Sequence, residues 1–473
     1  MRTFVEKILN APAGSIVIRR PDIVMSHDNS ARIRKIFEEM GGEKLKDAGK
    51  LLVVLDRKMT GTTDELIRDY NSIHRFMDEQ KVEHFFDCDK GICHEILAGQ
   101  LKPGGLIVGN DSHTCTAGAF NCMAVGLNKT ETAVLWKEGE MWFRVPETIK
   151  ISLKNRLPEG VYAKDLALWI MGMLREENVA YKSLEFHGEG VPALSIADRM
   201  TLANVTAEMG LKSAAFPPDD KLADYFGDYA VQGVWADRDA MYYKEFEIDL
   251  AQVIPLVMEV GEINEIKAPG EWGRLEIQQG LIGACASGRL EDLRVVARIL
   301  DGKKIASGFQ LSIVPASREI YLQAIQEGII DRLVKSGASI LGSSCGPCLG
   351  SSHMIMADTR RFITTVNSNS MRRLSAIGVE KYVASPATVA MTALTGVLTV
   401  EVERTDAKYP YWEMPKVWVT VNEFERRYHN RVWNYGDLNS IACEQLFDEA
   451  CTYRIAPDNF NCLLYTSDAA DEG

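Results

Sequence analysis

Short, continuous apolar runs alternate along most of this chain with segments of helical periodicity. The apolar runs include KLLVVLD, GGLIVGND, GLIGAC, ASILGSSC and RFITTVNSN, and the helical segments include ARIRKIFEEM, LEDLRVVARIL and REIYLQAIQEGIIDRLVKSG. Apolar runs of this kind, separated by helices, predict strands that are buried on both faces, as in parallel sheets covered by helices. The sequence therefore predicts an α/β fold of layered helices and largely parallel strands.

Chemically versatile side chains follow several of these predicted strands. Asp56 follows LLVVL, residues 111–113 follow LIVGN, Cys285 follows LIGA, and Cys345 follows SILGSS. Ligands of open α/β sheets collect at the carboxyl ends of the strands. Polar caps on surface turns would explain one or two of these residues, but we expect the set to form a site.

Size and charge limit the class of protein. The chain has 473 residues, of which 46% are hydrophobic, which is enough for a large core and for two to four domains. No apolar run approaches the ~20 residues that cross a bilayer, and the start lacks the features of a signal peptide, so a cytoplasmic protein is expected. The net charge of −13, without clustered Lys or Arg, argues against nucleic acid as the main partner.

The ten cysteines include one close pair, Cys345-Gly-Pro-Cys348. A thioredoxin-like dithiol would explain this pair, and Pro386 stands at a suitable sequence distance for the proline of such a site. However, Ser344 occupies the position where those proteins usually carry Trp. A structural zinc site would need four ligands, commonly supplied by two such pairs.

A third interpretation adds Cys285, which lies sixty residues before Cys345. Three thiolates can hold three irons of a cubane cluster and leave the fourth iron open as a Lewis acid. An electron-transfer cluster normally has four cysteine ligands, so three ligands would indicate a cluster that takes part in a reaction.

Several further segments resemble blocks of the aconitase superfamily, in the order of that family. The match is to the large subunits of isopropylmalate isomerase and homoaconitase-like hydro-lyases, and it covers roughly residues 1–402. The segments are VMSHDNSA, GNDSHTCTAGAF, WFRVPETIKI, NVTAEMG, FPPD, IGACASGRLEDL, GSSCGPCLG and YVASPATVAMTALTG.

This resemblance implies three α/β/α domains of the aconitase type, at approximately 1–125, 126–280 and 281–402, around a [4Fe-4S] cluster. It implies that Cys285, Cys345 and Cys348 hold the cluster. A mobile fourth domain, the swivel domain, carries the family's serine base and is often a separate small subunit. We expect residues 403–425 to form a connector, and residues 426–473 to be a truncated start of that domain, signalled by RVWNYGD, with an unrelated tail.

The family reaction dehydrates and rehydrates a hydroxy di- or tricarboxylic acid, such as isopropylmalate, homocitrate or a citrate-like acid. By motif, His94 would pair with Asp111, and His113 with Glu208, because a carboxylate orients an imidazole and favours its charged form. The resemblance assigns catalytic roles to His94, Asp111, His113, Glu208 and Asp56. It assigns substrate binding to His27, Asp28, Ser112, Asn204 and Arg373.

Two positions depart from the family pattern. Arg57 follows Asp56 where the family has a histidine, and Ser368 stands where the family has an arginine, although Arg372 is near enough in sequence to replace it. These departures affect the acid step and the substrate of the family, and they allow either a different hydroxy acid as substrate or an altered acid supplied by the neighbours of Arg57. They also motivate an alternative, in which the chain is a non-catalytic homologue that serves as a cluster-binding sensor or subunit.

Overall fold

The computed structural model describes residues 1–56, 64–88, 90–227, 233–261, 264–349, 359–368 and 378–401. Arg57, Arg372, Arg373 and the predicted connector and swivel segments at 403–473 lie outside these residues. The strands are β1 Ile16–Arg19, β2 Ile23–Ser26, β3 Leu51–Val54, β4 His84–Phe86, β5 Leu106–Gly109, β6 Met123–Gly126, β7 Met141–Arg144, β8 Thr148–Lys154, β9 Ser183–His187, β10 Ser213–Ala215, β11 Lys244–Asp249, β12 Val257–Glu259, β13 Glu265–Lys267, β14 Gln279–Gly283, β15 Gln310–Val314, β16 Ser339–Ile340, β17 Arg361–Thr364 and β18 Glu380–Ala384. The α-helices are α1 Phe4–Ile8, α2 Ser30–Glu39, α3 Asp64–Gln80, α4 Cys93–Ala98, α5 Lys129–Glu138, α6 Ala163–Met173, α7 Ile196–Val205, α8 Asp220–Phe226, α9 Ala284–Ser287, α10 Leu290–Leu300, α11 Arg318–Gln326, α12 Ile329–Ser336, α13 Gly346–Leu349 and α14 Pro386–Thr395.

The first sheet has five parallel strands in the order β4-β3-β2-β5-β6. Strand β3, which lies between β4 and β2, is buried along its whole length. Leu51 and Val53 pack into the hydrophobic cluster on one face of the sheet, and Leu52 and Val54 pack into the cluster on the other. Successive side chains of a strand point to opposite faces, so a sheet covered on both sides needs the continuous apolar run that this strand has.

The second sheet has four parallel strands in the order β10-β9-β8-β11. The third has seven strands in the order β13-β12-β18-β17-β14-β15-β16, and β12 is antiparallel to both of its neighbours. Strands β1 and β7 form a separate antiparallel pair. The α/β class predicted from the apolar runs is confirmed, whereas the exact domain boundaries stay predictions.

One helical segment differs from the sequence pattern. The stretch REIYLQAIQEGIIDRLVKSG forms two helices, α11 and α12, which are separated at Gly328. Gly328 has φ of 68°, a left-handed conformation that glycine adopts without steric cost and that ends the first helix. None of the helices in the described part of the chain combines the length and the hydropathy that a membrane span requires.

Candidate active site at the ends of the strands

One pocket gathers most of the residues that the strand ends suggested. Asp56 enters it after β3, Asp111 after β5 and Cys285 after β14. The pocket is lined by Asp56, Ile92, Cys93, His94, Asp111, His113, Ala284, Cys285, Ala286, Cys345, Cys348, Val366 and Asn367. The carboxyl ends of strands from the first and third sheets therefore meet at this pocket, as the topology of α/β sheets favours.

The backbone brings Cys285 into the pocket through a tight turn. Gly283, the last residue of β14, has φ of 127°, and a Cβ there would lie 2.1 Å from the carbonyl oxygen of Val314. Only glycine fits at this approach, so the chain can turn at once into α9 and present Cys285. The other two cysteines are fixed to the first sheet, because the Cys345 N–H donates to the carbonyl oxygen of Asp56 at 2.8 Å.

The three cysteines form one electrostatic unit. Burial and the neighbouring Cys345 raise the pKa of Cys285. The pKa of Cys348 is raised by a hydrogen bond with Cys345, by burial and by the charges of both other cysteines. None of the cysteines in the described ranges forms a disulfide. The sulfurs of the three cysteines are soft ligands, and those of Cys285 and Cys348 resist ionisation when no metal is present. The three sulfurs fit a cationic iron centre, because its positive charge would favour the thiolate forms.

A continuous chain of histidines and carboxylates lies beside the cysteines. His94 Nε2 is 3.1 Å from Asp111 Oδ1, and His113 Nδ1 is 3.4 Å from the same oxygen. On its other side, His113 Nε2 is 3.2 Å from Glu208 Oε1. The two pairs suggested by the motifs are thus joined through Asp111. The donor atoms of His94, Asp111 and His113 lie within 4.8 Å of one another, a spacing that could also hold a single cation.

The two histidines differ in how their ring nitrogens are used. Burial by itself lowers the pKa of His113, but hydrogen bonds to Asp111 and Glu208, with the charges of both, raise it to about 9. Both nitrogens of His113 thus face carboxylates. His94 is 4% exposed, and its Nδ1 has no hydrogen-bond partner among the described residues. His94 thus lines the pocket and keeps one buried ring nitrogen without a partner among the described residues.

Those of the remaining predicted site residues that the structure describes lie near the pocket without lining it. His27 Nε2 is 2.7 Å from the carbonyl oxygen of Asn110 and Asp28 accepts a hydrogen bond from the Asp56 N–H, so both lie close to the strand ends. Asp28 also accepts a hydrogen bond from the hydroxyl of Tyr70. Ser112 begins a 3-10 helix that spans Ser112–Phe120.

Asn204 contacts the cysteine unit directly. Its Nδ2 donates to Cys285 Sγ at 3.5 Å and to Thr116 Oγ1 at 2.8 Å. Ser368, which stands where the family has an arginine, donates from Oγ to Glu208 Oε2 at 2.6 Å. Ser368 therefore extends the histidine–carboxylate chain in place of a cation.

Sequence reasoning missed three residues near the pocket. Asn367 follows the strand β17, so the strand-end rule could have included it. Lys164 hydrogen bonds to Asn367, and Arg289 donates to the carbonyl oxygen of Cys285 and pairs with Glu95, the neighbour of His94. Nothing in the local sequence distinguishes Lys164 or Arg289 from exposed helical cations.

The dithiol alternative finds little support in this geometry. Pro386 is the first residue of α14, and no cis peptide bond occurs in the residues that the structure describes. The pair Cys345 and Cys348 also shares its pocket with two further cysteines, Cys93 and Cys285, and with two histidines. A thioredoxin-like site needs neither of those additions.

Comparison with known proteins gives matches along most of the chain. Residues 6–261 and 258–396 match the model of the aconitase family (aconitate hydratase). Large subunit 1 of 3-isopropylmalate dehydratase from Methanopyrus kandleri is 38% identical over 84% of this chain and 98% of its own length. The corresponding subunit of Thermotoga maritima is 35% identical, with coverage of 84% and 98%.

Two further proteins that resemble this chain bear different names. A probable methanogen homoaconitase large subunit from Methanosarcina mazei is 37% identical over 80% of this chain and 97% of its own length. The solved holo-form of aconitase X from Thermococcus kodakaraensis is 14% identical, with a TM-score of 0.47 over 76% of this chain and 86% of that one.

Proposed function

The chain belongs to the aconitase family of hydro-lyases, and from this premise we propose that it is the large subunit of a [4Fe-4S]-dependent isomerase. Its substrate would be a hydroxy di- or tricarboxylic acid of the isopropylmalate, homocitrate or citrate type. The relatives named above act on isopropylmalate or bear the homoaconitase name, and they support this substrate class. Because those relatives are large subunits, a small subunit that carries the swivel domain is the proposed partner.

One observation carries the proposal. The three proposed cysteine ligands, Cys285, Cys345 and Cys348, line the same pocket as His94, Asp111 and His113, and Cys93 lines it as well. A hydro-lyase of this type needs a Lewis acid and a proton donor at the same place, because hydroxide is a poor leaving group. The pocket offers candidate residues for both within one enclosed site.

We propose that Cys285, Cys345 and Cys348 hold the cluster. When bound, such a cluster supplies an iron without a protein ligand, which polarises the substrate hydroxyl. Asn204 is not itself a ligand, but it donates a hydrogen bond to Cys285 Sγ and would thereby orient this ligand and modify its binding of the metal.

His94 would give the proton to the leaving oxygen from Nδ1. Its Nε2 faces Asp111, which holds the ring in place. Because its pKa is about 9, His113 is charged at neutral pH and offsets one of the two negative charges of Asp111 and Glu208. It thereby weakens the repulsion between these carboxylates and the anionic substrate.

Substrate carboxylates need cationic or hydrogen-bonding groups at the rim of the pocket. His27, Asp28 and Ser112 lie near the strand ends, where they could orient a substrate hydroxyl or carboxylate. Arg373 is proposed to grip one carboxylate bidentately, and it lies outside the described residues. Asp56 borders the pocket beside the cysteines and would order the substrate or a water there.

The test is an activity assay on the anaerobically reconstituted full-length chain. It would be combined with a small subunit from a homologous system and offered isopropylmalate, homocitrate, citrate and malate. Cluster formation together with hydration or dehydration of one of these acids is expected. A protein that takes up the cluster but turns over none of them with a competent small subunit would favour the non-catalytic sensor or subunit instead.

A further inference from the structure

Lys164 is a buried cation that the proposed chemistry does not use. It is 2% exposed in the first turn of α6, and its Nζ donates to Asn367 Oδ1 at 2.8 Å. Burial lowers its pKa to about 8, although the charges of Glu208 and Cys285 act in the opposite direction. The first turn of a helix disfavours a positive charge, and burial of a charge is costly. Helix stability therefore does not explain a lysine here.

A chain of hydrogen bonds leads from Lys164 to a cysteine. Asn367 Nδ2 donates to Asn204 Oδ1 at 2.6 Å, and Asn204 Nδ2 donates to Cys285 Sγ at 3.5 Å. Asn204 and Asn367 are both buried. The relay thus connects α6 to α9 through the end of β17 and the end of α7.

The direction of this relay follows from its first member. An ammonium group has donors only, whereas each asparagine amide has an oxygen that accepts and an NH₂ that donates. Lys164 therefore turns the oxygen of Asn367 toward itself, and the NH₂ of Asn367 then faces the oxygen of Asn204. As a result the NH₂ of Asn204, and not its oxygen, points at the sulfur.

We propose that Lys164 is a positioning residue which, acting through Asn367, turns the side-chain N–H of Asn204 toward the sulfur of Cys285. The inference deepens the proposed function and rests on it, because Cys285 is a proposed cluster ligand. Hydrogen bonds to the sulfurs of a cluster help to set its reduction potential and are part of what stabilises it. Through the relay, a buried lysine that two asparagines separate from Cys285 would influence the reduction potential of the cluster.

Thr116 is the competing determinant of the Asn204 orientation. Its hydroxyl donates to the carbonyl oxygen of His113 at 2.7 Å and is left to accept from Asn204 Nδ2. If Thr116 alone fixed the amide, removal of the lysine would leave Asn204 unchanged. The experiment must therefore report on the two amides and not only on folding.

The first arm uses the metal-free protein, labelled with ¹⁵N at the asparagine side chains. In Lys164→Met, the NH₂ protons of Asn204 and Asn367 are expected to exchange with solvent roughly fivefold faster than in the wild type, as the loss of one hydrogen bond predicts. Lys182→Met is the matched control, because Lys182 is also buried but pairs with Glu147. Unchanged exchange at Asn204 in Lys164→Met would overturn the proposal.

The second arm measures the reduction potential and the rate of iron loss of the reconstituted protein. Lys164→Met should lower the potential and accelerate iron loss about tenfold, in the range seen when groups behind metal ligands are removed. Asn367→Leu should do the same with the lysine still present. The double variant should match Asn367→Leu alone, because both changes cut one relay.

Full additivity of the two changes would show that Lys164 acts independently of Asn367, which contradicts the relay. If Lys164→Met does not fold, Asn367→Leu still tests the same contact from its other end. If the wild type binds no iron, the proposed function fails, whereas the metal-free arm still decides on the relay.

Discussion

His113 Nε2 lies 3.2 Å from Glu208 Oε1, although 95 positions separate the two residues in the chain. The contact joins the 3-10 helix Ser112–Phe120 to a second 3-10 helix, Thr206–Met209, so it links segments of the first and second sheets. With Asp111 on the other side of the ring, His113 is held between two carboxylates.

The first prediction concerns stability and pH. The pKa of His113 is raised from 6.5 to about 9, so the folded protein holds this proton more tightly than the unfolded chain. The resulting stabilisation, on the order of 3 kcal/mol, is complete below pH 6.5 and is lost as the pH rises through 9. His113→Gln should therefore lower the denaturation temperature of the metal-free protein at pH 6 but leave it nearly unchanged above pH 9.5.

His74→Gln is the control for that experiment, because His74 is partly exposed and pairs with Asp87 away from the pocket. It should follow the wild type over the whole pH range. A deficit of His113→Gln that stays constant from pH 6 to pH 10 would contradict the charged imidazole.

The second prediction concerns proton transfer by His94. His94→Gln keeps the size of the side chain but removes the acid, so kcat should fall by about 10²–10⁴ while KM changes little. The steady-state rates of the reconstituted enzyme with its small subunit provide the measurement. A rise in KM with an unchanged kcat would assign His94 to substrate binding instead. Wild-type values of both constants would remove His94 from the mechanism.

The third prediction concerns iron. Wild-type protein reconstituted without oxygen should contain about four irons per chain, as a cubane cluster requires. Cys285→Ala should lose the cluster absorbance, because only two of the three proposed ligand thiols remain. Cys122→Ala is the matched control, since Cys122 is also buried but does not line the pocket. Equal iron content in both variants would exclude Cys285 as a ligand.

The fourth prediction concerns Ser368. Its hydroxyl donates to the buried carboxylate of Glu208, and a hydrogen bond to a charged group is worth about 1.5–3 kcal/mol. Ser368→Ala should therefore destabilise the protein more than Ser336→Ala, in which a bond to the neutral carbonyl of Leu333 is lost at a cost of about 0.5–1.5 kcal/mol. Chemical denaturation of both variants measures the difference. The reverse order would show that Ser368 does not support Glu208.

The strand-end rule located much of the candidate site from the sequence. Asp56, Asp111, Cys285 and Cys345 each follow a predicted strand, and the structure places all four at one pocket. These positions could be predicted because a buried parallel strand is recognisable in the sequence as a continuous apolar run. The carboxyl ends of neighbouring parallel strands then meet at one edge of the sheet. The α/β class follows from the same local patterns.

The tertiary structure alone decided which polar groups meet across the sheets. The bond from Lys164 to Asn367 spans 203 positions, and the bond from Asn367 to Asn204 spans 163. No periodicity or motif at those positions distinguishes a buried lysine from one on a solvated helix face. A polar side chain acquires its partner only when separate sheets pack together, because the desolvation that makes the hydrogen bond necessary exists only in the folded core.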